Sequence, residues 1–373
     1  MAVYMKQLYI ENFRGIHNLE VKDLNHINII AGDNNSGKTS VLEAVLMLRN
    51  PKDFTNILRI ARQRDIGSFF TGISTYESFI NLFPKEQEPL SISVKAICKG
   101  QSVEINLSGD RKMIFLEPEE VYKRIFAPNR KQIEHRLNQD SLEIEEFKGE
   151  LQCIIDSERS GIFVEFHLYS PTSGREINRN DYLSMVYLSP FDHVRSNVFN
   201  RILRNDSYKE ICLHVLRLFD PQIVDILILK NEDNNRPVEY IKHKRLGNMP
   251  LSTYGDGIKK VLSLANGIAQ AAGGILLIDE VETAIHSRYY NDIFRFIVKA
   301  CKQFEVQVFI TTHSIEAIDG FLATQDYSSQ NEFDDISVIT FKKDTASNKT
   351  YSRVLLGRHV QSNREQFGFE VRM

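Results

Sequence analysis

Gly32 and Gly37 stand five residues apart in the stretch AGDNNSGKTS, and Lys38 and Thr39 follow the second glycine directly. Such spacing suits phosphate. Glycines let backbone N–H groups curl round an anion with no Cβ in the way. The lysine supplies a point charge to the β- and γ-phosphates, and the threonine hydroxyl is placed for Mg2+. Asn34, Asn35, Ser36 and Ser40 fill the loop and the first helical turn. The competing reading is a chance glycine–asparagine turn, and the flanks weigh against it. INII before the loop reads as a short buried strand, and VLEAVLML after it as a helix with one apolar face. That helix would aim its positive end at the phosphates.

A triphosphate site that hydrolyses also needs a carboxylate for the metal and a group to activate water. ILLIDE offers both, with four apolar residues that suit a central parallel strand and then Asp279 and Glu280. Open α/β sheets place ligands at this carboxyl end. Asp279 would join Thr39 in holding Mg2+, and Glu280 would be the general base on the attacking water. Alone, the pair reads equally well as a strand ending in an acidic loop; beside a phosphate loop that reading loses. A second apolar strand, VFITTHS, ends at His313, placed to hydrogen-bond the γ-phosphate or the water.

These residues need elements to hold them. VYMKQLYIENFRGI alternates and is rich in β-formers, and LSISVKAICKGQSVEINLSG reads as a hairpin turning at Lys99-Gly100. From about 116 to 160 the pattern turns charged and helical, interrupted at Pro128. Residues 196–219 read as helix, and VDILILKNEDNNRPVEYIKHKR as a hairpin with a polar turn at Asn231–Arg236. A glycine-studded turn and helix then lead into ILLIDE, and ISVITFKKDTASNKTYSRVLL reads as a last hairpin. The expected organisation is a lobe over 1–110 with the phosphate loop, an inserted and largely helical lobe over 111–240, and a closing lobe over 241–373. The expected class is α/β: a mixed or parallel core sheet, an antiparallel N-terminal β lobe and the helical insert.

A net charge of -3 argues against a strongly basic nucleic-acid coat. The four cysteines, Cys98, Cys153, Cys212 and Cys301, show no metal or redox spacing, which suits a reduced cytoplasmic compartment. No signal peptide and no membrane span is expected.

GDNNSGKTSVLEAV, ILLIDEVETAIH and ITTHSIEAI together resemble the ABC-type ATPases of the RecF, SMC and OLD group, and more closely the short AAA-class ATPases of bacterial and archaeal genomes. LYIENFRGI is similar to that group's first strand, and FGFEVRM to its usual ending. The resemblance is specific over about the first 50 residues and about 250–320. It implies a P-loop head that closes face to face with a second copy on two ATP molecules. It also identifies STYGDGIKK as the signature segment, which would touch the partner's ATP through Gly255 and Gly257 at a helix start. The group's usual signature serine is replaced by Gly255, with Ser252 three residues upstream, so the contact is either mostly backbone or made by Ser252. Glu282 and His286 match the group's acidic and histidine positions near the dimer seam; a local helix-start interaction is the other reading. Arg14 could reach the nucleotide or stay on the surface, and Gln63 is one of several candidates for the Q-loop.

About 240 residues separate Lys38 from Asp279, more than a transporter-type nucleotide-binding subunit needs, and too irregular for a long SMC coiled coil. Only 60 residues follow His313, with no Asp-x-Asp of the kind an OLD nuclease carries. The expectation is an ATPase with ATP and Mg2+ as cofactors, a homodimer or higher homo-oligomer, and a separately encoded nuclease or toxin as effector, as in anti-phage defence. The alternative is a RecF-like repair ATPase that clamps DNA directly. The run Lys242-His243-Lys244-Arg245 is the best local basic cluster for such contact, KRIFAPNRKQIEHR is a second, weaker patch, and a solvated hairpin strand is the plainer reading of the first.

Overall fold

The computed structural model describes residues 3–33, 35–64, 73–85, 87–116, 142–170, 181–194, 200–230, 235–327, 334–344 and 349–367. The first half runs β1 Met5–Glu11, β2 Leu19–Val21, β3 Ile27–Ala31, α1 Lys38–Met47, α2 Phe54–Ala61, α3 Thr75–Ile80, β4 Leu90–Cys98, β5 Gln101–Leu116, β6 Leu142–Ile155 and β7 Glu158–His167. Then follow β8 Met185–Leu188, α4 Asn200–Leu203, α5 Asp206–Phe219, β9 Ile223–Lys230, β10 Pro237–His243, β11 Gly247–Pro250, α6 Asp256–Gln270 and β12 Ile275–Ile278. The chain closes with α7 Tyr290–Gln303, β13 Gln307–Thr312, α8 Ile315–Leu322, β14 Ile336–Asp344, β15 Lys349–Leu356 and α9 Gly357–Phe367.

The central sheet has the order β15-β14-β3-β13-β12-β8. All its neighbouring pairs are parallel except β14–β15. Its strands are apolar on both faces because both faces are covered. Ile29, Leu276, Ile278, Val308, Ile310 and Val338 face a core built with the later helices. Ile30, Leu277, Phe309 and Ile339 face the opposite core, shared with α1 and the antiparallel sheet.

That antiparallel sheet has the order β2-β1-β4-β5-β6-β7, and a third, three-stranded sheet has the order β11-β10-β9. The β4–β5 turn is as its sequence predicts, with positive φ at both Lys99 and Gly100. β9 pairs antiparallel with β10 and β14 with β15; residues 231–234 of the expected polar turn and 345–348 lie outside the described residues.

Two expectations are corrected. The charged stretch expected to be helical is, over its described part, the long strand β6 and the start of β7, with which β6 pairs; residues 117–141 lie outside the described residues. Phe147 and Leu151 are spaced like neighbours on a helix, yet with Cys153 they line one face of a strand whose other face carries Glu146, Lys148, Glu150 and Gln152. Helix α1 is not one-sided: every residue from Ser40 to Met47 is buried, because the helix lies between two sheets.

All four cysteines are free and buried. Among the described residues, no helix is long and apolar enough to cross a membrane.

Candidate functional site

Register brings the site together. Ile29 pairs with Ile310, Ile310 with Ile278, and Ile278 with Leu188. The segments after these parallel strands therefore emerge side by side at one end of the sheet: the glycine loop, Asp279-Glu280, His313 and the turn beyond Leu188. Asn35 to Ser40, Asp279, Glu280, Arg14, Gly15, Arg64 and Thr350 line one cavity of about 730 Å3.

The loop is shaped for an anion. Gly37 caps α1 with φ 94, a left-handed conformation that glycine enters without strain. A Cβ on Gly32 would lie 2.9 Å from Ser36 Oγ. Ser36 Oγ is buried and has no hydrogen-bond partner among the described residues, as suits a group that donates to phosphate. Lys38 Nζ donates to the carbonyls of Gly32 and Asp33, both at 2.7 Å. Burial pushes the Lys38 ammonium down, and the nearby carboxylates of Glu280 and Asp279 oppose that shift. Asn34 lies outside the described residues.

Asp279 collects hydroxyl groups. Thr39 Oγ1 donates to its two oxygens at 3.1 and 3.0 Å, Thr311 Oγ1 to Oδ1 at 2.5 Å and the Tyr187 hydroxyl to Oδ2 at 3.1 Å. A carboxylate and a threonine hydroxyl in contact at the mouth of a phosphate loop are a donor set that fits Mg2+.

Glu280 stands at φ 48, a region that side chains other than glycine rarely adopt. Thr311 holds the turn, accepting the Glu280 N–H at 2.8 Å. Strain of this kind collects where a side chain must be aimed. Two residues on, Glu282 Oε1 accepts the His313 N–H at 2.9 Å and meets His313 Nδ1 at 3.0 Å. Glu282 thus fixes the ring, and the half-exposed His313 sits beside the cavity rather than among its lining residues.

Arg14 and Arg64 converge on Glu43, which α1 buries completely. Arg14 Nε lies 2.7 Å from Glu43 Oε2; Arg64 pairs with the same carboxylate and donates to Ser40 Oγ at 3.0 Å. Both arginines line the cavity, so Arg14 is not merely a surface residue, and Arg64 rather than Gln63 is the α2-end residue that reaches it.

The residues expected to form a signature segment lie elsewhere. Ser252 and Gly255 are exposed at the start of α6, and neither they nor Gly257 line the cavity. A Cβ on Gly255 would meet nothing within 4 Å, whereas one on Gly257 would lie 3.2 Å from Phe219 Cε1 and 3.4 Å from the Ala284 carbonyl oxygen. Packing within the chain explains Gly257 and leaves Gly255 unexplained. The exposed His286 accepts the Arg288 N–H at 3.2 Å, the local helix-start interaction.

Sequence reasoning missed Glu43, Arg64, Tyr187 and Thr311. Glu43, Tyr187 and Thr311 are polar side chains on largely apolar elements, and Arg64 lies in the turn after α2.

A family model described as "AAA domain, putative AbiEii toxin, Type IV TA system" matches residues 27–319. The chain is 25% identical over 354 residues to an "ATP/GTP phosphatase" of Helicobacter pylori, covering 88% of this chain and 91% of that protein. It is 29% identical over 111 residues to a "DNA replication and repair protein RecF" of Halalkalibacterium halodurans, covering 30% of this chain and 28% of that one. Among solved structures, an Smc head domain with an extended coiled coil, bound to the C-terminal domain of ScpA and derived from Pyrococcus furiosus, superposes with a TM-score of 0.51 at 10% identity. It covers 98% of this chain and 100% of that one. A second SmcHead, bound to the C-winged helix domain of ScpA, gives 0.50 at 12% identity over 95% of this chain and 98% of that one. The shared feature is the fold of the head.

Proposed function

Because the chain belongs to this AAA-domain family, we propose that it binds ATP with Mg2+, hydrolyses it, and closes head to head on a second copy to control a separately encoded effector. The observation that carries the reading is the meeting of Thr39 and Asp279 beside the glycine loop, with Glu280 next in sequence on a turn held by Thr311.

Lys38, Ser36 Oγ and the loop N–H groups would hold the β- and γ-phosphates. Thr39 and Asp279 would hold Mg2+, which neutralises charge on the transferring phosphoryl group. Glu280 takes a proton from the attacking water. Glu282 keeps His313 oriented toward the same region. Arg14 and Arg64, tied to Glu43, set the far wall of the cavity.

The head-to-head arrangement is supported by Gly255, whose lack of a side chain serves nothing in its own chain. An exposed helix start without a Cβ would let a second copy's triphosphate approach the backbone N–H groups. The finer placement, among short OLD-like ATPases that act beside a nuclease or toxin in anti-phage defence, rests on the sequence motifs. The second reading, direct DNA clamping, draws on the likeness to RecF and on Lys242, Lys244 and Arg245, all exposed near the β10–β11 turn.

The test is ATP turnover against protein concentration for wild type and Glu280→Gln. Wild type should hydrolyse ATP only with Mg2+. Glu280→Gln should bind ATP as tightly, lose at least about a hundredfold in turnover, and accumulate as an ATP-bound dimer. Failure of wild type to bind ATP would overturn the reading.

A further inference from the structure

Two buried charged atoms near the site lack partners, and they belong to different elements. Lys260 on α6 is 2% exposed, and its Nζ has no hydrogen-bond partner among the described residues. Glu282, after β12, is 9% exposed; its Oε1 is engaged with His313, and its Oε2 is buried without a partner.

The two elements touch. The Gly257 side of α6 packs on the loop that follows Glu282, with the Ala284 carbonyl 3.4 Å from where a Cβ would stand. Lys260 follows three residues later, on the same side of the helix. The charged groups that act on it are Glu282 first, then Asp192, Asp279 and Glu280. Asp192 belongs to the 3-10 turn Asp192–Val194 after β8, together with His193, and Asp256 and Lys259 belong to α6 itself. Burial pushes the ammonium down to about 8, and Glu282 is the strongest opposing influence.

An apolar residue would fill this space at no desolvation cost. An ammonium buried near these carboxylates and hydrogen-bonded to none of them is explained if its charge is used. We propose that Lys260 is a positioning residue for hydrolysis: its ammonium is the counter-charge that holds Glu282, and through Glu282 the His313 ring, in step with α6. This rests on the reading of the site as an ATPase. It gives the signature helix a physical route to the site. Whatever docks at Gly255 moves α6, and Lys260 carries that displacement to the carboxylate gripping His313.

The experiment uses Lys260→Met, Lys260→Arg, Glu282→Gln and the Lys260→Met/Glu282→Gln double variant of the full chain. ATP affinity of Lys260→Met should stay within about twofold of wild type while kcat falls about tenfold or more, and Lys260→Arg should recover most of the rate. Urea midpoints without nucleotide should be non-additive, the double variant losing less than the sum of the two single losses. Lys260→Gln replaces the methionine variant if that one does not fold. Wild-type turnover in Lys260→Met, or additive midpoint shifts, would overturn the proposal. If wild type itself does not hydrolyse ATP, the ATPase reading falls, and the urea cycle still decides whether the two charges are coupled.

Discussion

Thr311 does more for the site than its type suggests. It is fully buried on β13, donates to Asp279 Oδ1, and accepts the N–H of Glu280. One hydroxyl thus orients the carboxylate proposed for the metal and holds the left-handed turn that aims the proposed base. Thr311→Val keeps the shape and removes both hydrogen bonds. It leaves the Glu280 N–H without its partner, which should cost about 1–3 kcal/mol of stability. The turn at Glu280 is then free to relax toward ordinary φ. Turnover should fall about tenfold or more while ATP affinity changes little, because the glycine loop and Lys38 are untouched. Steady-state kinetics with urea melts separate the two effects, and an unchanged kcat would show that Thr311 does not hold the base.

At the scale of elements, sequence told most where function depends on neighbours along the chain. The glycine loop, the strand ending in Asp279-Glu280 and the strand ending in His313 were legible because each is an apolar run that stops at a polar cluster. Tyr187, Arg64 and the nearness of Lys260 to Glu282 were not, because strand register and helix packing bring those residues in from distant segments. The stretch 142–160, expected to be helical, has its own cause: charges on the solvent face of a half-buried strand look like the polar face of a helix. Gly149 marks the true structure. It pairs with Gly109 on β5, and a Cβ there would lie 2.2 Å from the Ser108 carbonyl oxygen and 2.8 Å from Gly109 Cα. Both close atoms are backbone, so the strands must separate to admit a side chain. Gly149→Val should therefore destabilise the chain by about 1–3 kcal/mol. Turnover per folded molecule should change little, since β6 lies three strands from β1, the strand of this sheet that leads to Arg14, and the other site residues lie on or near the central sheet, α1 and the turn after α2. A thermal melt at unchanged kcat would bear this out, and an unaffected melting temperature would contradict the close packing.

At the scale of the whole molecule the question is where the proposed site is completed. The cavity holding Lys38, Thr39, Asp279 and Glu280 is lined by none of Ser252, Gly255 and Gly257. If those residues touch a triphosphate, it is one held by another copy. Two defective chains should then repair each other. Lys38→Ala spoils the loop and leaves the helix start at Gly255 intact. Gly255→Glu leaves the loop intact and puts a carboxylate where the triphosphate would approach; the open space at that position lets the variant fold. Each alone should be inactive. Mixed in equal amounts, about half of the dimers pair unlike chains, and each of those has one complete site of two. The mixture should recover about a quarter of wild-type turnover under isologous two-fold pairing with independent sites. Full activity of Gly255→Glu alone would place the whole reaction within one chain. An inactive mixture of two variants that still dimerise would mean that hydrolysis requires both sites at once.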